Sequence, residues 1–432
     1  MPSLPPELWK AVLQELAYMP GTLQKGYDPF SIEDHLDYDE PTAEMQAWKQ
    51  DKRNAILVCK TWRRLALPML YEILHIDSEA HARGIREALE TAPVYEEDGF
   101  LGRGDFVRQI YISVRWSPLQ VADEVASQDS ILTGEHVARI VERCPHLSIF
   151  TYRMFPIPSI LRPTFDAILG SRAASSLLKL DMAYHQTFWP TILWDLASEA
   201  LGHLPRLETL VLTSAINNVG ESAMLRMPAH IIHAPHLKTL VLPWSVYQLM
   251  LAHSSQLDMP ELQAIHIMGV HIMSASNTTS GTLVHHSSME ANEMNRKIAS
   301  IGVSNPDLWA PDDFSDCFAF LAHFPNLRSA HLLVADITLV PDPPLEHPSL
   351  TCIAIVQNHD IFMEQWNVSQ RIVSSVDAGI EIILAGRFPK LRKVQVVGYY
   401  TETHKKDTER VAGWDQKLGE RGIALEFCRA FQ

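Results

Sequence analysis

Histidine and cysteine are the residue types in this chain most able to do chemistry, and there are twenty of the first and five of the second. His230, His233 and His236 recur every third residue, a spacing that on a continuous helix would draw imidazoles towards a divalent metal. Pro235 breaks any such helix, so the three do not converge. His285 and His286 lie in a polar stretch and read as surface residues. Cys59, Cys144, Cys317, Cys352 and Cys428 form no Cys-x-x-Cys pair, and their odd number leaves one over in any disulfide scheme. They read as free, mostly buried thiols in a reducing compartment. Gly21-Thr22-Leu23-Gln24-Lys25-Gly26 has the outline of a phosphate loop, but Tyr27 stands where a lysine would have to reach the phosphates. There is no Gly-x-Ser-x-Gly elbow. The expectation is a chain with no catalytic residue, no metal and no cofactor.

Composition narrows the class further. A hydrophobic fraction of 47% with 20% charged residues suits a chain that buries a large core, which excludes disorder throughout. The net charge of −15 argues against a nucleic acid partner, whose binding needs clustered Lys and Arg to displace counterions. No stretch approaches the roughly 20 apolar residues that span a bilayer. Met1-Pro2-Ser3-Leu4-Pro5-Pro6 carries neither a basic leader nor an apolar signal core. A cytoplasmic or nuclear protein without a membrane role is expected.

The elements that organise the chain are repeated. A pattern Pro-x-Leu-x-x-φ-x-φ, with φ apolar, begins at Pro145, Pro205, Pro235, Pro260, Pro325, Pro348 and Pro389, and a copy lacking the proline begins at Ser175. In the copy at Pro205 the signature residues are Leu207, Leu210 and Leu212. The φ-x-φ alternation predicts a short strand with one buried face. Val137, Ile140, Val141 and Cys144 lie at helical spacing before Pro145, as do Phe314, Phe318 and Leu321 before Pro325. Proline then ends each helix and turns the chain towards its strand. Units that cannot bury their apolar faces alone must stack, with parallel strands on one side and helices on the other. A weaker unit, Val107 to Ile112, starts the array. Residues 270–312 read as a polar insertion, and Asp407–Glu420 with Gly422–Phe427 as a closing helix and strand.

The repeated unit resembles the leucine-rich repeat, Leu-x-x-Leu-x-Leu-x-x-Asn, in a degenerate form whose Asn position is filled only by Asn358. Residues 4–71 carry another pattern. Leu8, Val12, Leu13 and Leu16 mark one apolar helical face beside Trp9. A second helix is predicted from about Glu44 to Cys59, and a third, Trp62–Leu67, ending at Pro68. Leu4-Pro5-Pro6-Glu7-Leu8, followed by Leu57-Val58-Cys59-Lys60-Thr61-Trp62-Arg63-Arg64-Leu65-Ala66, resembles an F-box of the fungal type. Residues 17–43, with the acidic run Glu33–Glu40, lengthen the segment between its halves.

That resemblance implies an α/β chain: a three-helix F-box-like module over residues 1–72, then an irregular leucine-rich-repeat-like solenoid over 73–432. It implies a substrate-recognition adaptor of a Skp-cullin-F-box ubiquitin ligase. Leu4, Pro5, Leu8, Val12, Leu13, Val58, Cys59, Trp62 and Leu65 would lie at or beneath the contact with the Skp-type adaptor protein, which joins the chain to the cullin scaffold. The repeats would hold a client protein, with Glu208, Lys238, Gln263, Arg328, Arg392 and Gln395 as solvated strand positions able to touch it. The alternative in another class is a repeat-based interaction scaffold with no ligase link, its front helices acting only as a cap.

Overall fold

A computed structural model describes residues 5–17, 23, 25, 43–91, 102–113, 128–153, 158–184, 198–214, 232–243, 257–268, 300–304, 325–333, 346–356, 368–397 and 408–428. These fall into two compact units, one running from the N-terminal helices to Leu212 and including Pro228–Leu237, and one running from Lys238 to the C-terminal strand.

The first unit opens with α1 (Pro6–Ala17), α2 (Ala43–Val58) and α3 (Lys60–Glu72). Pro6 occupies the first helical position, where a missing N–H costs nothing. The Pro5 carbonyl accepts from the N–H groups of Leu8 and Trp9 at 3.0 and 3.2 Å. Against the expectation of a stop at Pro68, α3 continues to Glu72. Pro68 forfeits one backbone bond there, and the buried Met69 beside it anchors the last turn in the module. The three helices close on Leu13, Ala55, Ala66 and Met69, with Ile56, Trp62 and Leu65 packed against them.

From α3 the chain passes directly into β1 (Ile73–Ile76), then α4 (Glu79–Glu90), a tight turn at Arg103–Phe106 and β2 (Gln109–Ile112). It continues through α5 (Gln128–Glu142), β3 (Ile149–Arg153), α6 (Pro158–Gly170), β4 (Lys179–Tyr184) and β5 (Thr209–Ser214). A two-residue strand, β6 (Ile232–His233), follows. Strands β1 to β5 lie side by side in chain order, and the pairs from β1 to β4 are parallel. The array therefore begins one strand earlier than the unit at Val107. Helix α5 packs against both α4 and α6.

Register explains the alternation. Leu74, Ile110, Phe150 and Leu180 form one row across the strands; Ile76, Ile112, Tyr152 and Met182 form the next. Every member is buried. The proline-leucine spacing has an equally concrete cause. The N–H of Leu147 donates to the Cys144 carbonyl at 3.2 Å, and the same bond joins Leu207 to Leu204 and Leu237 to Ala234. That is a β-turn with proline at its second position, where the ring presets φ. The residue after each leucine starts the ladder. The Arg108 carbonyl accepts from Ser148 and Ile149, Ser148 from Leu178 and Lys179, and Leu178 from Glu208 and Thr209. Ser176 fastens one turn to the one before, its hydroxyl donating to the Leu147 carbonyl at 2.7 Å.

Gly104 marks a close backbone approach, because a Cβ there would collide with the Arg143 carbonyl at the end of α5. Gly104→Ala is expected to destabilise by about 1–3 kcal/mol, the usual cost of overpacking. Thermal unfolding checks this, with Gly84→Ala as control, since Gly84 lies in α4 with open space around it.

The second unit contains β7 (Thr239–Pro243), the short β8 (Leu257–Asp258), β9 (Ala264–Met268), β10 (Ser300–Ser304), β11 (Ser329–Leu333) and β12 (Cys352–Val356). Then come α7 (Val368–Ala385), β13 (Lys393–Val397), α8 (Thr408–Gly419) and β14 (Ala424–Cys428). Seven strands pair in parallel in the order β7-β9-β10-β11-β12-β13-β14. The stretch expected as a polar insertion, 270–312, thus contains a strand of the sheet. Ser300-Ile301-Gly302-Val303-Ser304 keeps the φ-x-φ core without the Pro-x-Leu lead, which is why the repeat pattern passes over it. The chain is an α/β protein of parallel strands and helices.

Candidate functional site

Helix α1 carries two apolar stripes. One is Trp9 and Leu13, four residues apart; Leu13 is 1% exposed, and the Trp9 ring meets that of Trp62 with centroids 4.9 Å apart. The other is Leu8 and Val12, also four apart but rotated about 100° from the first. Leu8 is 51% exposed and Val12 41%. A helix needs only one such stripe to join its own core. The second is left facing solvent.

The corner between α2 and α3 repeats this. Leu57 and Val58, the last two residues of α2, are 78% and 60% exposed. Cys59 breaks the helix in an extended conformation and caps α3, its thiol accepting from the Trp62 N–H at 3.4 Å. The Cys59 carbonyl accepts from Arg63 at 2.8 Å. This double cap holds the corner tight, so Leu57 and Val58 cannot fold back onto the core. Arg53, Lys60, Arg63 and Arg64 nearby are exposed. Of the five exposed large hydrophobic residues among the described ones, Leu8, Val12, Leu57 and Val58 are four.

The residues expected at an adaptor contact therefore divide by burial. Pro5, Leu8, Val12, Val58 and Cys59 are exposed, Trp62 and Leu65 are half-buried against the module core, and Leu13 lies within it. Leu4 lies outside the described residues. Leu57 is the most exposed apolar residue of the corner. It stands inside the quoted motif, yet sequence reasoning did not single it out.

Lys52 belongs to the same three-helix module. It is buried in α2 and donates its ammonium to the Met69 carbonyl at 3.1 Å, in the last turn of α3. Burial pushes its pKa down to about 8, against the upward pull of Glu72. Between that value and the ordinary one near 10.5 the unfolded chain binds more protons, so stability rises with pH across this window. Lys52→Met is expected to remove that rise and to be at least as stable at pH 7, by up to about 3 kcal/mol. Denaturant curves of both proteins at pH 7 and pH 9.5 provide the check.

The expected client-facing positions are placed differently from the reading as solvated strand residues. Glu208, Lys238, Gln263, Arg328 and Arg392 each stand one residue before a strand, and only Gln395 lies within one. Glu208 and Lys238 are half-buried, Gln263, Arg328 and Arg392 exposed, and Gln395 half-buried. Part of the strand face opposite the φ rows is itself buried: Thr151, Asp181 and Val211 in the first unit, Val241, His266 and Ala354 in the second. Runs such as Leu210-Val211-Leu212 and Leu240-Val241-Leu242 signal strands enclosed on both faces. The same face is half-buried on β1 and β2, and at β13 and β14 it is accessible, Lys393 and Gln395 both engaging Glu426 at 3.2 and 3.1 Å.

A polar cluster that the sequence did not suggest lies where β1 and β2 end. The parallel register sets His75 beside Tyr111, their rings stacked with centroids 5.2 Å apart. The Ser113 hydroxyl meets His75 Nε2 at 2.9 Å. His75 Nδ1 is 3.8 Å from Asp77, too far for the hydrogen bond that orients the imidazole of a hydrolytic triad. Asp77 is instead held by His81 Nδ1 at 3.1 Å and the Ser78 hydroxyl at 3.0 Å. Burial raises the Asp77 carboxyl, but His81, Ser78 and His75 together outweigh it and hold the group below its ordinary value. The cluster ties two strand ends together.

Among the described residues no group of His, Cys, Asp and Glu could hold a metal ion. His233 and His236 are exposed, and His230 lies outside the described residues, as do His285 and His286. Cys144 is a buried free thiol whose pKa is pushed up by burial and by Asp105, which leaves it inert. No described helix is long and apolar enough to cross a membrane. No family model matches the chain, and no curated protein matches it.

Proposed function

We propose that this chain is a non-catalytic substrate adaptor of a Skp-cullin-F-box ubiquitin ligase. Its N-terminal helices would seat the Skp-type adaptor and its repeats, stacked as an irregular leucine-rich-repeat solenoid, would hold a client. The observation that carries this reading is the concentration of exposed large apolar side chains, Leu8, Val12, Leu57 and Val58, on helices whose own core is already filled. Solvent-facing leucine and valine bordered by charged residues mark a protein interface. The F-box-like residues on either side of the break at Cys59 supply the kind of partner.

The mechanism is tethering. One end of the chain binds the ligase scaffold and the other the client, so a client lysine meets the charged conjugating enzyme at a high effective concentration. Binding geometry supplies the selectivity, and the bond chemistry belongs to the partner enzymes. Co-expression of the full chain with a Skp-type adaptor, followed by size-exclusion chromatography, tests the assignment. A one-to-one complex is expected; elution of the chain alone counts against it.

A further inference from the structure

The chain is acidic overall, yet the described residues at the start of strands β11 to β14 include a group of cations. Arg328 stands immediately before β11, Arg392 immediately before β13, and Lys390 and Arg421 in the turns that lead to β13 and β14. All four are exposed, and none has a carboxylate partner among the described residues. The cations around them are already paired: Arg387 with Glu346 at 2.8 Å and Lys393 with Glu426 at 3.2 Å. Glu420 is the acidic neighbour, and its carboxylate accepts from the Gln416 amide at 3.2 Å.

Backbone bonds fix the spacing of these cations. The Arg328 carbonyl accepts from Thr351 and Cys352, the Thr351 carbonyl from Arg392 and Lys393, and the Arg392 carbonyl from Ala424. Arg328 and Arg392 are thus two ladder steps apart, and the β14 turn is one step further. At about 4.8 Å per step the row spans roughly 14 Å. An extended peptide of about five residues covers that length, presenting every second side chain to the same side.

We propose that this row, at the start of strands β11 to β14, seats a short carboxylate-rich segment of the client protein. The inference rests on the reading of the repeats as the client-holding part. Charge complementarity selects the occupant: guanidinium and ammonium groups without a carboxylate partner, Arg392 donating only to the Leu391 carbonyl at 3.3 Å, on backbones joined by the ladder at a spacing that suits an extended acidic strand. A long polyanion such as nucleic acid would meet the repulsion of a chain with net charge −15, whereas a short segment senses only charges within about 8–10 Å.

The test uses the full chain and a fluorescein-labelled hexaglutamate peptide, with anisotropy as readout at low and moderate salt. Binding is expected at 50 mM salt and should weaken at least tenfold at 300 mM. Arg328→Glu combined with Arg392→Glu should weaken it at least tenfold at low salt. Arg172→Glu with Arg206→Glu, an equal charge change in the first unit, should leave it within twofold. Absence of peptide binding, or equal loss in both double variants, overturns the proposal. So does a single-stranded oligonucleotide that binds more tightly than the peptide and is lost in the same variant. Capture of the Skp-type adaptor, measured on the same samples, separates the two readings. Peptide binding without adaptor capture leaves the seat standing and sinks the ligase link, and the reverse result sinks the seat alone.

Discussion

Leu8→Glu combined with Val58→Glu is expected to abolish capture of a Skp-type adaptor, with affinity falling at least about 100-fold, since two desolvated anchor residues each contribute upwards of about 1.5 kcal/mol. The folded state should hardly notice. Both side chains already face solvent, so each substitution removes little burial and belongs with surface changes of about ±0.5 kcal/mol. Leu13→Ala supplies the contrast. Leu13 is enclosed by the module core, and its truncation should cost about 2–5 kcal/mol and weaken binding only through loss of the helices. Binding assays paired with thermal melts distinguish the cases: the double glutamate variant melts like the parent and does not bind. Trp62 is a poorer probe, because its ring packs on Trp9 and against that core. A Trp62→Ala defect would mix contact with collapse.

Phe150→Ala should produce the largest loss of stability among the repeats. Phe150 lies mid-row between Ile110 and Leu180, fully buried, in a parallel sheet covered by helices. Removing the ring leaves a cavity that a closely packed ladder cannot collapse, at a cost of about 3–5 kcal/mol. For a unit of this size that corresponds to a fall of roughly 6–20 °C in Tm. Differential scanning calorimetry checks it, and an unchanged first transition would show that the rows do not form the core described.

Much of this fold is legible in the sequence because two local signals coincide. The proline-leucine lead encodes a turn closed by a single backbone bond, and φ-x-φ encodes the buried rows, so Leu147, Leu177, Leu207, Leu237, Leu262, Leu327, Leu350 and Leu391 are all buried. Where one signal is missing the strand hides. β1 leaves α3 without an intervening turn, so Ile73-Leu74-His75-Ile76 has no proline lead. β10 has only Ile301 and Val303 to announce it, and its place is fixed by pairing on both sides. Burial of the second strand face depends on tertiary packing, although the unbroken apolar runs at Val211 and Val241 hint at it.

The candidate site is half legible for a related reason. Helical spacing groups Leu8, Val12 and Leu13 on one apolar side, and only packing divides them into an inward and an outward stripe. The exposure of Leu57 and Val58 depends on the cap at Cys59, which turns the chain before these residues can be covered. The meeting of His75 with Ser113 follows from strand register across 38 positions, which no local pattern encodes. The cationic row before β11 to β14 has the same origin: Arg328 and Arg392 are distant in sequence and come within two ladder steps of each other, on either side of Thr351.

Isothermal titration of a purified Skp-type adaptor into the full-length chain tests the central claim most directly. Submicromolar one-to-one binding with a negative heat-capacity change is predicted, the mark of apolar surface leaving water, and it should vanish in the Leu8→Glu, Val58→Glu protein. No measurable binding by the parent chain, or equal binding by the folded double variant, would contradict the account.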